Sequence, residues 1–166
     1  MPRAIDMLGL PRQGGKPRLA PDYFDRLLTD TDPVDPVDAV AALSAFWQPR
    51  IDSRAARFGL SVAEYNVHLI LIYTGEIADG GHAQYFVNRG VAYVDDTIAA
   101  LNAVGLETLG DVLAQAQSIL AVAGREFADC DAAADEKLPE VDVVLLRYCR
   151  AHKDTLLLPE RGLLQG

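Results

Sequence analysis

Residues 75–90 read GEIADGGHAQYFVNRG, and this stretch decides how the chain folds. The residues before it follow a helical period in which Glu76 falls on the same apolar stripe as Tyr73. The adjacent glycines Gly80 and Gly81 favour a break, because glycine readily adopts backbone conformations that end helices. The sequence therefore predicts two helical segments separated by a glycine break, with a carboxylate directed inward beside it.

An inward carboxylate needs hydrogen-bond donors. The nearest donors in sequence are the backbone N–H groups after the glycine pair and the side chains of Gln84 and Asn88. These two side chains are four residues apart, so they share one face of the short helix predicted over 82–88. We interpret the motif as a polar latch between two packed helices, formed by Glu76, Gly80, Gly81, Gln84, Tyr85, Phe86, Asn88 and Gly90.

Functional interpretations of the same residues stay open. A small-ligand or enzymatic pocket could use Glu76, His82, Gln84 and Asn88. A phosphate cradle is disfavoured, because no lysine lies near the glycines and no strand precedes them. A metal site is disfavoured, because Asp79 and His82 straddle the glycines and are not held on one rigid helical face. We expect no cofactor, no metal and no catalytic residue, and a non-enzyme is favoured.

The chain has 166 residues, of which half are apolar, so it is long enough to bury a hydrophobic core. It has 24 acidic and 15 basic residues, a net charge of −9. Residues 1–20 carry four bases and one acid, a charge of +3, which leaves −12 on the rest. A body this acidic repels nucleic acid and membranes and attracts basic partners. Acidity that only keeps the protein soluble is the alternative.

The cellular location is predicted from what the chain lacks. Residues 1–20 contain no apolar segment typical of a signal peptide, and no apolar run approaches the ~18 residues of a membrane span. Cys130 and Cys149 are therefore expected to be free thiols in a reducing cytoplasm. The same composition predicts a basic, flexible arm over residues 1–20 and a single domain over 21–166.

Helix-capping signals predict an all-α fold of six or seven helices around a central apolar helix, with no β-strand signal. Ser61 and Glu64 form a capping box at the start of that central helix. An earlier helix begins at Pro36, and Pro49 is expected to bend or end it. Further along, an acidic connection is predicted over 128–137, followed by a last helix near 139–152.

The spacing of Glu76, the glycine pair, Gln84-Tyr85-Phe86 and Asn88 resembles the fingerprint of the DNA-mimic-protein family. This family consists of small, acidic, all-α bacterial domains mostly of unassigned function. The resemblance covers residues 61–120, with Asp79 where Asn is usual and His82 where an aromatic residue is usual. It implies the all-α fold. It also implies a homodimer whose surface carboxylates imitate DNA phosphates and occupy a DNA-binding transcription factor.

Two clusters of acidic residues could supply such a surface. The implied partner is a basic protein, with no direct binding to nucleic acid or membrane. The alternatives are that the acids cap helices, as Asp35 and Asp38 are placed to do, or that the chain is an interaction domain unrelated to nucleic acid. The candidate surface residues are Asp22, Asp25, Asp30, Asp32, Asp129, Asp131, Asp135, Glu136 and Glu140.

Overall fold

The structure, a computed structural model, describes residues 12–13, 16–17, 23–29, 34–52, 60–122, 124 and 126–156. Six α-helices make up most of this part of the chain, which confirms the all-α class. A short 3₁₀ turn at Lys153–Thr155 follows the last helix. The helices are α1 (Tyr23–Leu28), α2 (Pro36–Asp52), α3 (Val62–Arg89), α4 (Val94–Val104), α5 (Glu107–Leu120) and α6 (Ala128–Ala151).

A minimal β-ladder precedes the helices. Strand β1 (Arg12–Gln13) pairs antiparallel with β2 (Lys16–Pro17), with Arg12 opposite Pro17. The sequence did not predict it, because a two-residue strand is too short to show alternation of apolar and polar residues. The other residues of the predicted arm over 1–20 lie outside the described residues.

The described chain divides into two compact units. The first comprises Met1–Glu64 with Leu146–Gly166, and the second comprises Tyr65–Leu145. The prediction of one domain over residues 21–166 stays a prediction. The Tyr65–Leu145 unit contains the glycine break and most of α6, so the candidate site lies within it.

In the first unit, α2 begins where its sequence indicates. The backbone N–H of Val37 donates to Asp35 Oδ1 (2.9 Å), so Asp35 caps α2. Pro49 was expected to bend or end this helix, and it does not end it, because α2 continues to Asp52. A proline removes one backbone hydrogen bond, and the helix on either side of it retains its own. The buried apolar residues of this unit include Phe24, Leu27, Leu28, Ala39, Val40, Leu43, Leu146, Cys149 and Leu156.

The start of α3 has the predicted capping box. The backbone N–H of Ser61 donates to Glu64 Oε2 (2.9 Å), and the backbone N–H of Glu64 donates to Ser61 Oγ (3.2 Å). The helix then presents Val67, Ile70 and Tyr73 to the core, each no more than 1% exposed. This burial agrees with the prediction that α3 is the central apolar helix.

Helices α4 and α5 form a hairpin closed by Gly105. This glycine has φ 93°, and its N–H donates to the carbonyl of Asn102 while the N–H of Leu106 donates to that of Leu101 (2.8 Å). These two bonds are those of a Schellman motif, which satisfies carbonyls at the end of a helix. Glu107 then begins α5. The two helices bury Val94, Ala100, Leu101, Val104, Leu109, Val112, Leu113 and Ala116.

The predicted acidic connection over 128–137 is wrong. These residues belong to α6, a single helix of 24 residues that includes Pro139. Residues 132–134 are three alanines, the strongest helix formers, and they carry the helix up to the proline. The acidic residues of this segment therefore lie on a regular helix, which fixes their spacing.

Within the described helices, none is both long and apolar enough to cross a membrane.

Gly75 is a helical position where an alanine should stabilise the protein. It is exposed in α3, and a Cβ built on it would meet no atom within 4 Å. We expect Gly75→Ala to raise the free energy of unfolding by about 0.5–1 kcal/mol, because alanine restricts the unfolded chain. The measurement is urea unfolding followed by circular dichroism.

The matched control for this substitution is Gly110→Ala in α5. Its Cβ would lie 2.6 Å from Asn102 Oδ1, so the side chain of Asn102 must shift. The gain in stability should therefore be smaller than at Gly75. A Gly75→Ala protein less stable than the wild type would contradict the helical, uncrowded environment assigned to this position.

Candidate functional site at the glycine break

Helix α3 is interrupted at Gly80 and Gly81. Gly81 has φ 71° and ψ −170°, a backbone conformation that is essentially restricted to glycine. Gly80 is required for space, since a Cβ there would lie 2.9 Å from the Cβ of Gln84. The break turns the chain so that residues 82–89 form a second helical segment, which Gly90 ends with φ 66°.

Glu76 lies at the centre of a polar cluster beside this break. The residue is 9% exposed, and both of its carboxylate oxygens accept hydrogen bonds. Oε2 accepts from the side-chain amides of Gln84 (3.1 Å) and Asn88 (2.7 Å), and Oε1 accepts from Nε of Arg89 (2.8 Å). We call these four residues the Glu76 cluster.

The environment of Glu76 stabilises its charged form. Hydrogen bonds from Asn88 and then from Gln84 lower the pKa of this carboxyl group, and Arg89 lowers it further, while burial opposes them. The net effect is a pKa below the usual range. Because two of the three donors belong to the motif and the third, Arg89, lies directly between two of its residues, the cluster favours a structural latch over a reactive carboxylate.

A second set of contacts joins the break to α6. The backbone N–H of His82 donates to Asp131 Oδ1 (2.8 Å), and His82 Nδ1 lies 2.6 Å from the same oxygen. Because a carboxylate accepts, Nδ1 donates, and in the neutral ring Nε2 accepts from the Tyr73 hydroxyl (3.0 Å). His82 is 0% exposed. It thus links the core residue Tyr73 to a half-buried carboxylate.

Asp131 occupies the position that the sequence suggested for Glu76. The N–H groups that follow the glycine pair form the positive end of the second helical segment, and the sequence placed Glu76 there. In the structure Asp131 accepts the N–H of His82, and Glu76 accepts side-chain donors only. Gly81 makes this possible, because a Cβ at this position would lie 2.6 Å from Asp131 Oδ2.

The aromatic residues of the motif pack around these polar contacts. Tyr85 is 2% exposed and contacts Tyr73 edge-to-face, with ring centroids 5.3 Å apart. The ring centroids of Phe86 and Phe127 lie 5.6 Å apart. The ring of His82 stacks on that of Phe127, with 6.2 Å between their centroids. His82 therefore packs as an aromatic ring, at the position where the resemblance implies an aromatic residue. Burial raises the pKa of Tyr85.

The predicted acidic residues have different environments. Asp129, Asp135, Glu136 and Glu140 are exposed on α6, whereas the side chain of Asp131 is 34% exposed and bound to His82. Asp131 therefore anchors the break, and its place in the candidate acidic surface stays a prediction. Of the first cluster, Asp25 is exposed. Asp22, Asp30 and Asp32 lie outside the described residues.

Three contacts of the site were not predicted from the sequence. Arg89 as a donor to Glu76 could have been found, because it follows Asn88 directly and carries the opposite charge. The pairing of His82 with Asp131 spans 49 residues, and its bond to Tyr73 depends on how the chain turns at the break. No local signal identifies either of them.

Metal and thiol chemistry find no support among the described residues. In the ranges that the structure describes, no group of three or more His, Cys, Asp or Glu side chains could hold a metal ion. Cys130 and Cys149 are free and buried. Burial raises the pKa of the Cys149 thiol to about 12, which keeps it protonated and unreactive near neutral pH.

The net negative charge of the chain lies in one unit. Tyr65–Leu145 contains thirteen acidic and three basic residues, a net charge of −10. The other unit contains eleven acidic and twelve basic residues, a net charge of +1. In the acidic unit, both described cations contact carboxylates: Arg89 contacts Glu76, and Lys137 contacts Glu140 (3.3 Å). The unit therefore presents an excess of unneutralised acids.

Comparison with protein families gives one match. The family model described as DMP19-like protein matches residues 59–152, which include α3 to α6 and the whole glycine break. Comparison with curated proteins and comparison with solved structures gave no significant match.

Proposed function

Since the chain belongs to the DMP19-like protein family, we propose that it is an acidic interaction protein that imitates DNA. Its partner is a basic, DNA-binding protein, which it sequesters through surface carboxylates and so withholds from its operator. The observation that carries the proposal is the charge of −10 on Tyr65–Leu145, set against +1 on the rest of the chain. We place this role in the cytoplasm, where free thiols persist.

The spacing of the acids on α6 supports the imitation of phosphates. Asp129 and Glu140 are eleven residues apart, which is about 16 Å along a helix. One strand of duplex DNA presents about five phosphates over the same distance. Four exposed carboxylates lie in this interval, and we call them the acidic α6 surface: Asp129, Asp135, Glu136 and Glu140.

The helix gives these carboxylates a fixed arrangement. Asp129, Glu136 and Glu140 recur at seven and four residues, so they follow one face of α6. The N-terminal part of α6 is tied to the glycine break by the bonds between Asp131 and His82. A rigid row of charges binds a complementary surface with less loss of conformational freedom than a flexible acidic loop would.

In this proposal the family motif holds the acidic α6 surface in place and does not itself contact the partner. Its polar groups bind one another, and its aromatic rings are buried. The exposed acids then bind the partner protein. The affinity for this partner should fall steeply with increasing salt, because salt screens their charges.

The test is capture of partners from a native lysate on the immobilised full chain. A captured protein supports the proposal if it binds duplex DNA on its own, elutes with salt and is displaced by added duplex DNA. We expect the variant D129N/D135N/E136Q/E140Q to lose at least about 100-fold in affinity for it, because several close charge pairs are removed together.

A matched control neutralises four exposed acids elsewhere in the same unit. The variant D79N/D95N/E107Q/D111N changes the net charge equally and leaves α6 intact. It should retain most of the binding. Equal losses in both variants would contradict the assignment to the acidic α6 surface. Full binding by the α6 variant, shown to be folded, would contradict it as well, and a partner indifferent to duplex DNA would overturn the imitation of DNA.

A further inference from the structure

A single large apolar side chain lies on the solvent face of α6. This helix is described over its whole length, and Val143 is its only exposed large apolar residue, with 54% of the residue exposed. The neighbouring residues Val141, Val144 and Leu145 are buried, so they supply the core face of the helix without it. Packing of α6 therefore does not account for an apolar residue at this position.

Val143 lies beside two carboxylates of the acidic α6 surface. It follows Glu136 by seven residues and Glu140 by three, and these spacings place the three side chains on one face of the helix. At 3.6 residues per turn, Val143 is about 20° around the helix from Glu136 and about 60° from Glu140. Along the axis it lies about 10 Å beyond the first and about 5 Å beyond the second. A protein that binds both carboxylates therefore also contacts Val143.

Phosphates alone offer no counterpart to an apolar side chain in this position, but the bases of DNA do. Contacts to phosphates fix a DNA-binding protein on the duplex, and the sequence is read from the base edges in the grooves. In the major groove, the C5-methyl group of thymine is the apolar feature that apolar side chains contact. Val143 beside Glu136 and Glu140 presents the same combination, a methyl group next to anionic oxygens.

We propose that Val143 is a specificity-determining residue, which takes the place of a thymine methyl group in the binding surface of the partner. The inference rests on the proposed function and narrows its partner to one class. This class reads thymine in the major groove with an apolar side chain that lies beside phosphate-binding cations. Proteins that contact only the phosphates of DNA gain nothing from Val143. Burial of the valine also adds affinity that salt does not screen.

The experiment measures affinities for the DNA-binding protein that the full chain captures, after that protein is identified by mass spectrometry and purified. We expect Val143→Ala to raise the Kd about tenfold, because the contact loses two buried methyl groups. Val143→Glu adds a carboxylate to a row of carboxylates, so a purely electrostatic surface would bind a basic partner more tightly. An apolar contact predicts the opposite, a Kd raised at least about tenfold. Circular dichroism checks that each variant is folded.

A comparison of two duplexes tests the assignment to thymine. Both carry a sequence that the captured protein binds, and one has uracil, which lacks the C5-methyl group, in place of each thymine. We expect the uracil duplex to displace the chain about fourfold less effectively, the usual worth of one buried methyl group. Equal displacement by the two duplexes would overturn the assignment to thymine.

The matched control is Val91, which is 55% exposed in the same unit and lies in the turn between α3 and α4. Val91→Glu adds the same charge away from α6 and should leave the Kd within about threefold. Tighter binding by Val143→Glu, or equal effects at the two valines, would overturn the role of Val143.

The failure of this inference can be distinguished from the failure of the proposed function. Loss of binding by D129N/D135N/E136Q/E140Q with unchanged binding by both Val143 variants would overturn the role of Val143 alone. Full binding by the folded quadruple variant, or capture of no DNA-binding protein, would contradict the proposed function and this inference with it.

Discussion

Replacing Gly81 by alanine is expected to lower the free energy of unfolding by about 3–5 kcal/mol, the largest effect of any single substitution proposed for this chain. Two causes add. The φ of 71° with ψ of −170° is a conformation that alanine adopts only under strain. The added Cβ would also lie 2.6 Å from Asp131 Oδ2, so the carboxylate must move from its two bonds to His82. Urea unfolding of both proteins measures the difference.

Gly90→Ala separates these two causes. Gly90 also has a positive φ, 66°, but a Cβ there would meet no atom within 4 Å. Its cost should therefore be the backbone strain alone, about 1–2 kcal/mol. A second comparison uses Asp131→Ala, which removes the obstructing carboxylate. The Gly81→Ala substitution should cost less in that background than in the wild type. Equal losses at Gly81 and Gly90 would contradict the role assigned to Asp131.

The parts of the fold that the sequence predicted depend on residues close together in the chain. The capping box of Ser61 and Glu64 spans three residues, and the cap of α2 by Asp35 spans two. The break at Gly80 and Gly81 belongs to the same class. Each of these features is stabilised by backbone geometry and by donors within one or two helical turns, so the local pattern contains the information.

The predicted start of the last helix was wrong because Pro139, which lies within α6, was interpreted as its first residue. Pro139 suggested a helix start, and the acids before it suggested a loop, yet α6 runs from Ala128 to Ala151. The cost of a proline is local, whereas burial of Cys130, Ala134 and Val141 along one face stabilises the helix on both sides of it. The sequence alone cannot compare these two energies, because burial depends on neighbours brought by the fold.

The contacts of the candidate site also divide into local ones, which the sequence predicts, and distant ones, which it does not. The donors Gln84 and Asn88 could be assigned to Glu76 because they are four residues apart on a short helix. The role of Asp131 could not be assigned, since it arrives from a helix 49 residues further along the chain. Its contact with His82 also bears on the functional interpretation, because this acid of the candidate surface is half-buried and holds His82.

Glu76→Gln is expected to lower the free energy of unfolding by about 1.5–3 kcal/mol at pH 7, the usual worth of a hydrogen bond to a charged group. Glutamine offers one acceptor oxygen and one NH₂ group to a site that contains only donors. Its NH₂ group must therefore lie against an N–H donor of the cluster, and that donor loses its hydrogen bond. Glu136→Gln, which removes the same charge from an exposed position on α6, should change stability by less than about 0.5 kcal/mol.

The dependence of this loss on pH distinguishes a charged latch from one that only fills space. The folded state lowers the pKa of Glu76 below its value in the unfolded chain, about 4.3. The carboxylate therefore contributes its full stabilisation above that pH, and the contribution is lost as pH falls through the folded-state pKa. The difference in unfolding free energy between wild type and Glu76→Gln should be greatest near pH 7 and should shrink steadily below about pH 4. A difference that stays constant down to pH 2–3 would contradict the charged latch, because a neutral carboxyl group would then contribute as much as the carboxylate.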